Sequence, residues 1–205
     1  MKERPILFSA AMVRALLDGS KTQTRRVVKP QPEAHLHMVR SLGDGVFQFA
    51  QDPHQLADTV SSFHYPYGQP GDQLWVRENF SGPHYQSKSP PRDWLDTDPI
   101  WYWADGNPDG GDWTKPKPNI HMPRWASRIT LEITGVRVER LHDISEEDAQ
   151  AEGSLFELGA LESTILGARA KYRSGYCRLW ESINGPGSWN ENPWVWVIEF
   201  KRSAS

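Results

Sequence analysis

The chain has almost no cysteine. Cys177 is its single thiol in 205 residues, so no internal disulfide can form and the fold must rest on packing. That usage fits a reducing cytoplasm, in a bacterial host, and Cys177 reads as a small core residue. Long apolar runs are missing too. No stretch nears the roughly 20 residues needed to span a bilayer, and the N-terminal residues lack a basic-then-apolar secretion pattern. No membrane partner is expected. Nor is there an excess of positive charge: 23 Lys and Arg face 26 Asp and Glu, a net −3, which argues against a strong non-specific binder of long duplexes. Repeats are absent. His35 and His37 stand one residue apart with no Cys/His cluster to join them, so neither a metal nor a cofactor is expected.

What is present is a packable core and an uneven charge. Hydrophobic residues make up 38% and charged residues 24%, which excludes global disorder. Residues 1–30 carry seven Lys and Arg against Glu3 and Asp18, a local +5, and leave −8 for the remainder. A basic face on an acidic body suits a single phosphate or a short strand of nucleic acid. Ten tryptophans and sixteen prolines are the other excess. Trp94, Trp101, Trp103 and Trp113 fall in one Pro/Gly-rich stretch, about residues 79–123, together with Lys115, Lys117 and His121. Such rings either stack nucleobases, meet a protein partner, or fasten a long loop to the body.

Element signals follow in chain order. Ser9 fits a helix N-cap, Val13, Leu16 and Leu17 share one helical face, and Gly19 sits where a left-handed residue ends the turn. Residues 22–28 read as a strand with Thr22, Thr24 and Arg26 on one face and Gln23 and Arg25 on the other. Lys21 belongs to the second parity, and meets Thr24 only if the backbone turns at 19–22. Val46–Phe49 reads as a hairpin arm within a first insertion of about residues 30–70. Leu74–Glu78 reads as a strand whose inward row ends on Glu78, a carboxylate that needs a cation or a proton there. Arg128–Leu141 is a strand whose alternation slips at Thr134–Gly135, the sign of a bulge or a corner. Ser145–Asp148 resembles a capping box, residues 168–183 carry a helical stripe, and Trp194–Phe200 is apolar on both faces, as in a central strand. The expected fold is mainly β, of the α+β class: one domain over 1–205, a small, partly closed barrel with flanking helices and insertions at about 30–70 and 79–123.

Two of these segments carry a family resemblance. Gly19-x-Lys21-x-x-Thr24-x-Arg26 resembles the GxKxxTxR signature of ASCH domains, and Gly71-Asp72-x-Leu74-x-Val76-x-Glu78 looks like the strand that follows it in that family. The core match spans about half the chain. The full length also resembles small phage- and prophage-borne members linked to morphogenesis. The resemblance implies a PUA-like barrel and binding of a nucleoside, RNA or single-stranded nucleic acid. In one branch it implies an amidohydrolase that removes acetyl from N4-acetylcytidine, with Lys21, Thr24 and Glu78 as the catalytic set. Gly19, Arg25, Arg26, Trp75 and Arg77 are the candidate substrate or nucleic-acid contacts.

The residue types suit that chemistry. Thr24 is a nucleophile if Lys21 is a base, and Lys21 is a base if burial or a neighbouring cation lowers its pKa. Glu78 would orient Lys21 or carry a proton to the leaving amine. A ribonuclease ranks lower, because no histidine pair lies near the motif. Two alternatives stay open: a non-catalytic RNA- or DNA-binding module, and a phage assembly or host-interaction protein that meets its partner through the Trp-rich insertion.

Overall fold

The computed structural model describes residues 1–33, 36, 38–43, 45–50, 61–154 and 172–203. His35 and His37, and residues 168–171 at the start of the expected helix, lie outside the described residues. The chain gathers into two compact units. Unit 1 comprises Met1–Gly19, Gly71–Glu132 and Lys201–Ser205; unit 2 comprises Ser20–Pro70 and Ile133–Phe200.

Unit 1 opens with strand β1 (Glu3–Leu7) and helix α1 (Ala10–Leu17). The Ser9 hydroxyl accepts from the Met12 amide, and Gly19, at φ 81°, reverses the chain after the helix, as the sequence pattern requires. β1 pairs in parallel with β6 (Gln73–Arg77), from Glu3 opposite Gln73 to Leu7 opposite Arg77. The other side of β6 pairs antiparallel with the first residues of β9 (Thr130–Arg140).

The Trp-rich insertion of unit 1 has little regular structure: β7 (Phe80–Ser81), β8 (Trp101–Tyr102) and short 3-10 turns. It still builds a core of its own from Phe80, Trp94, Met122 and Ala126. Gly82 is required there, since a Cβ at that position would lie 2.3 Å from the Trp94 ring.

Unit 2 contains β2 (Gln23–Val27), the meander β3 (Met38–Gly43), β4 (Val46–Ala50) and β5 (Ser61–His64), helices α2 (Glu146–Ala151) and α3 (Tyr172–Asn184), and most of β10 (Trp194–Arg202). β10 runs between β9 and β2, antiparallel to β2. Its residues 194–198 are buried in an unbroken run, which is why both faces are apolar in sequence. One face meets the meander: Phe47 lies edge-on to Trp196 and Phe49 to Trp194, each 5.1 Å between ring centres. Val195 and Val197 pack with Ala149 of α2 and with Tyr176 and Trp180 of α3.

The α+β class holds, with more strand than helix, but the barrel expected from the sequence does not close among the described residues. A barrel needs two neighbours for every strand. Among the described strands β1 pairs with β6 alone, and Pro5 within it lacks the N–H that a second neighbour would use. β9 runs without interruption through Gly135, where a Cβ would sit 2.5 Å from Glu199 Oε2.

Candidate active site

The segment after α1 enters unit 2 at Ser20. Lys21 forms an isolated antiparallel bridge with Glu152, the residue that follows α2, and the Thr22 amide donates to the Ala151 carbonyl at 2.8 Å. β2 then alternates as the sequence dictates. Gln23 and Arg25, two residues apart on one face, both reach Asp148 of α2.

Lys21 is buried, with 2% of its surface exposed. Its Nζ donates to Glu152 Oε2 at 2.9 Å, the Glu152 carbonyl at 2.8 Å and the Gln23 carbonyl at 2.8 Å. Three acceptors around one nitrogen define an ammonium, which has three donors and no lone pair to offer. Burial pulls its pKa below the ordinary lysine value, while the Glu152 carboxylate pulls it back up and Arg25 and Arg26 press it down. The Gln23 carbonyl belongs to the peptide that leads into Thr24. The ammonium therefore lies on the Gln23 and Arg25 face of β2, whereas the Thr24 side chain, of the other parity, projects from the opposite face. Thr24 is itself buried, opposite Ile198 in the β2–β10 ladder.

Arg25, expected to meet substrate, meets carboxylates instead. Nε and one terminal nitrogen hold Glu139 Oε1 at 2.9 and 2.5 Å. The guanidinium also reaches Asp148 at 2.9 Å and Glu152 Oε1 at 3.0 Å. Burial alone would lower its pKa, but Glu152 and Glu139 raise it, so it is a fixed cation. Arg137 extends the knot to Glu139, Asp148 and Glu199. Burial would raise the Asp148 pKa, and its bonds to Gln23, Arg25 and Arg137 outweigh that and lower it. Tyr176 packs its ring 5.9 Å from the Arg25 guanidinium, and burial pushes its phenol well above the ordinary range. Arg26, half-buried, faces Trp196 across the ladder.

Glu78 lies in unit 1, is 1% exposed, and has its own partner there. Arg128 grips it with two parallel bonds of 2.9 and 3.0 Å, and grips Asp105 with two more of 2.7 and 2.8 Å. The same guanidinium lies 4.0 Å from the centre of the Tyr102 ring. Burial raises the Glu78 pKa and Arg128 opposes it. The inward carboxylate in an apolar row thus has the cationic partner that its position demanded. Trp75 is buried beneath two arginines, Arg77 at 4.6 Å and Arg124 at 5.9 Å from its ring, and Arg77 donates to the Ile120 carbonyl at 3.2 Å.

In the insertion, indole N–H groups are used internally. Trp94 donates to the Ser89 carbonyl, Trp101 to Gly106, Trp113 to Gly110 and Trp103 to the Ser81 hydroxyl. These bonds fasten the loop to itself. Among the described residues no His/Cys/Asp/Glu group has metal-binding geometry, and no helix is long and apolar enough to cross a membrane.

Several residues of these clusters escaped the sequence reading. Glu152, Glu139, Asp148 and Arg137 surround the Lys21 face, and Arg128 and Asp105 surround Glu78. One signal was available: Lys21, Gln23 and Arg25 share a parity, and two buried cations on one strand face require carboxylates opposite.

No family model, curated protein or solved structure matches this chain.

Proposed function

We propose that the chain is an ASCH-type hydrolase that removes the acyl group from an N4-acylated cytidine, as a nucleoside or within RNA. The observation that supports this reading most directly is the Lys21 ammonium, buried and bonded to the carbonyl of the peptide that enters Thr24. A lysine in that setting titrates more readily than a solvated one, which is what general-base work at neutral pH requires.

The proposed steps balance as follows. Lys21 first gives one proton to water and becomes an amine. The amine must then reach the Thr24 face of β2, where Thr24 Oγ1 attacks the acyl carbon while its proton passes to Lys21 Nζ, and the tetrahedral oxyanion forms beside Arg26 of the same face. The C–N4 bond breaks as Nζ returns the proton to N4, releasing cytidine. Water hydrolyses the threonine ester and the carboxylic acid leaves. Arg25, neutralised by three carboxylates, does not touch the ligand, and Arg26 is the candidate for a phosphate or the oxyanion. Glu78 joins the set only through the resemblance. Burial raises its pKa, and its two bonds to Arg128 favour the ionised form that a proton acceptor needs.

The test is incubation with N4-acetylcytidine and detection of cytidine. Turnover by the wild-type chain that is abolished in Lys21→Ala and Thr24→Ala is the expected result. No turnover, or turnover unchanged in Lys21→Ala, refutes the reading.

A further inference from the structure

The proposed chemistry leaves the buried Glu152 carboxylate unused. Glu152 is 2% exposed, yet both of its oxygens are engaged by cations: Oε2 by Lys21 at 2.9 Å and Oε1 by Arg25 at 3.0 Å. Its main chain is committed to the same place. The carbonyl accepts from Lys21 Nζ at 2.8 Å, and the amide closes the end of α2 by donating to the Asp148 carbonyl. The residue therefore holds Lys21 by side chain and backbone together.

We propose that Glu152 is the positioning residue for Lys21: it fixes Nζ against the Thr24 peptide and holds the proton that Lys21 must lose before it can act as a base. Its catalytic consequence rests on the hydrolase reading; its control of the charge on Lys21 rests on the geometry alone.

The groups facing this pair come from every element around it. β2 supplies Arg25 and Arg26, β9 supplies Glu139, α2 supplies Asp148, and α3 supplies Tyr176. Arg25 and Arg26 favour the amine. Glu139 and Asp148 are occupied by Arg25 and Arg137. Tyr176 is neutral, held protonated by burial. Among the described groups that leaves Glu152 as the anion bonded to the Lys21 ammonium. An opposite charge within about 4–6 Å moves a titration by about one to three pH units. Removing the Glu152 charge while keeping its shape lowers the pH at which Lys21 becomes an amine by that amount.

Two readouts separate this inference from the function it serves. The first is an NMR titration of the full chain labelled at lysine Cε, with the Lys21 resonance assigned by its loss in Lys21→Met. In Glu152→Gln the Lys21 midpoint falls by at least about one pH unit, and in Glu152→Asp, where the charge is kept at a longer reach, it falls less. An unmoved midpoint overturns the inference whatever the activity. If Glu152→Gln does not fold, the Asp variant alone decides, and a midpoint equal to wild type overturns the proposal. The second readout is the pH profile of N4-acetylcytidine hydrolysis. Its rising limb moves to lower pH in Glu152→Gln, in step with the NMR midpoint. A fixed limb in an active variant overturns the positioning role. A shifted midpoint in Glu152→Gln, with no turnover by the wild-type chain, upholds control of the Lys21 charge and overturns the hydrolase reading.

Discussion

Replacing Arg128 by Met should destabilise unit 1 in a way that depends on pH. The substitution keeps apolar bulk over Tyr102 but removes the only cation bonded to Glu78 among the described residues. Two contributions have to be separated. Asp105 is 41% exposed on its side chain, so water replaces its lost partner and the loss is about 0–1 kcal/mol. Glu78 has 2% of its side chain exposed, so it is left as a stranded buried charge, at about 3–5 kcal/mol. The expected loss at pH 8 is therefore roughly 3–5 kcal/mol, nearly all of it from Glu78.

The pH dependence follows from the direction of the Glu78 shift. Burial already raises its folded pKa above the ordinary 4.5, with Arg128 opposing. Without Arg128 it rises further. A carboxyl that binds its proton more tightly in the native state makes stability fall as pH rises from the unfolded value through the folded one. The variant should therefore be closest to wild type near pH 5 and furthest from it near pH 8. Urea unfolding at both pH values measures this, with the slope m checked for constancy. The double variant Arg128→Met, Glu78→Leu should recover most of the loss at pH 8, since removing both charges of a buried pair is often neutral. A loss of under about 1 kcal/mol at pH 8, or a loss equal at the two pH values, would refute the claim that Glu78 is held as a dry carboxylate.

Three further outcomes are expected. Lys21→Met should lower stability by only about 1–3 kcal/mol in urea unfolding, because Glu152 keeps its bond to Arg25, while cytidine release falls to background. Gly82→Ala should cost about 1–3 kcal/mol or more through overpacking on Trp94, with a changed tryptophan emission spectrum as the local signature. Ser145→Ala removes the hydroxyl that accepts from the Asp148 amide at 3.0 Å. It should cost about 0.5–2 kcal/mol and, by loosening α2, reduce hydrolysis more than a surface substitution such as Lys201→Ala does.

Local signals carried most of the fold. Ser9, Gly19, Ser145 and the alternation of Leu131 and Ile133 state their own conformation within a few residues, and the structure places α1, α2 and β9 where those signals put them. Closure of the sheet was not legible. It depends on which strands lie at an edge, and Pro5 was the one hint. The first insertion was half legible: Val46–Phe49 was read as a hairpin arm, but of its partner strands β5 is polar enough to pass for loop and β3 sets Arg40 and Ser41 between Val39 and Leu42 without alternating. The charge clusters were the least legible part. Lys21 and Glu152 are 131 residues apart and Glu78 and Arg128 are 50 apart. Parity shows that a buried cation needs a partner, but not which acid supplies it.

The knot formed by Gln23, Arg25, Glu139, Asp148 and Glu152 has a consequence for how this chain can vary over time. Each member answers to at least one other, so an exchange at one position strands its neighbour until a second exchange repairs it. These five positions should drift slowly and in compensated steps. The apolar row of β10 tolerates swaps of similar volume one at a time.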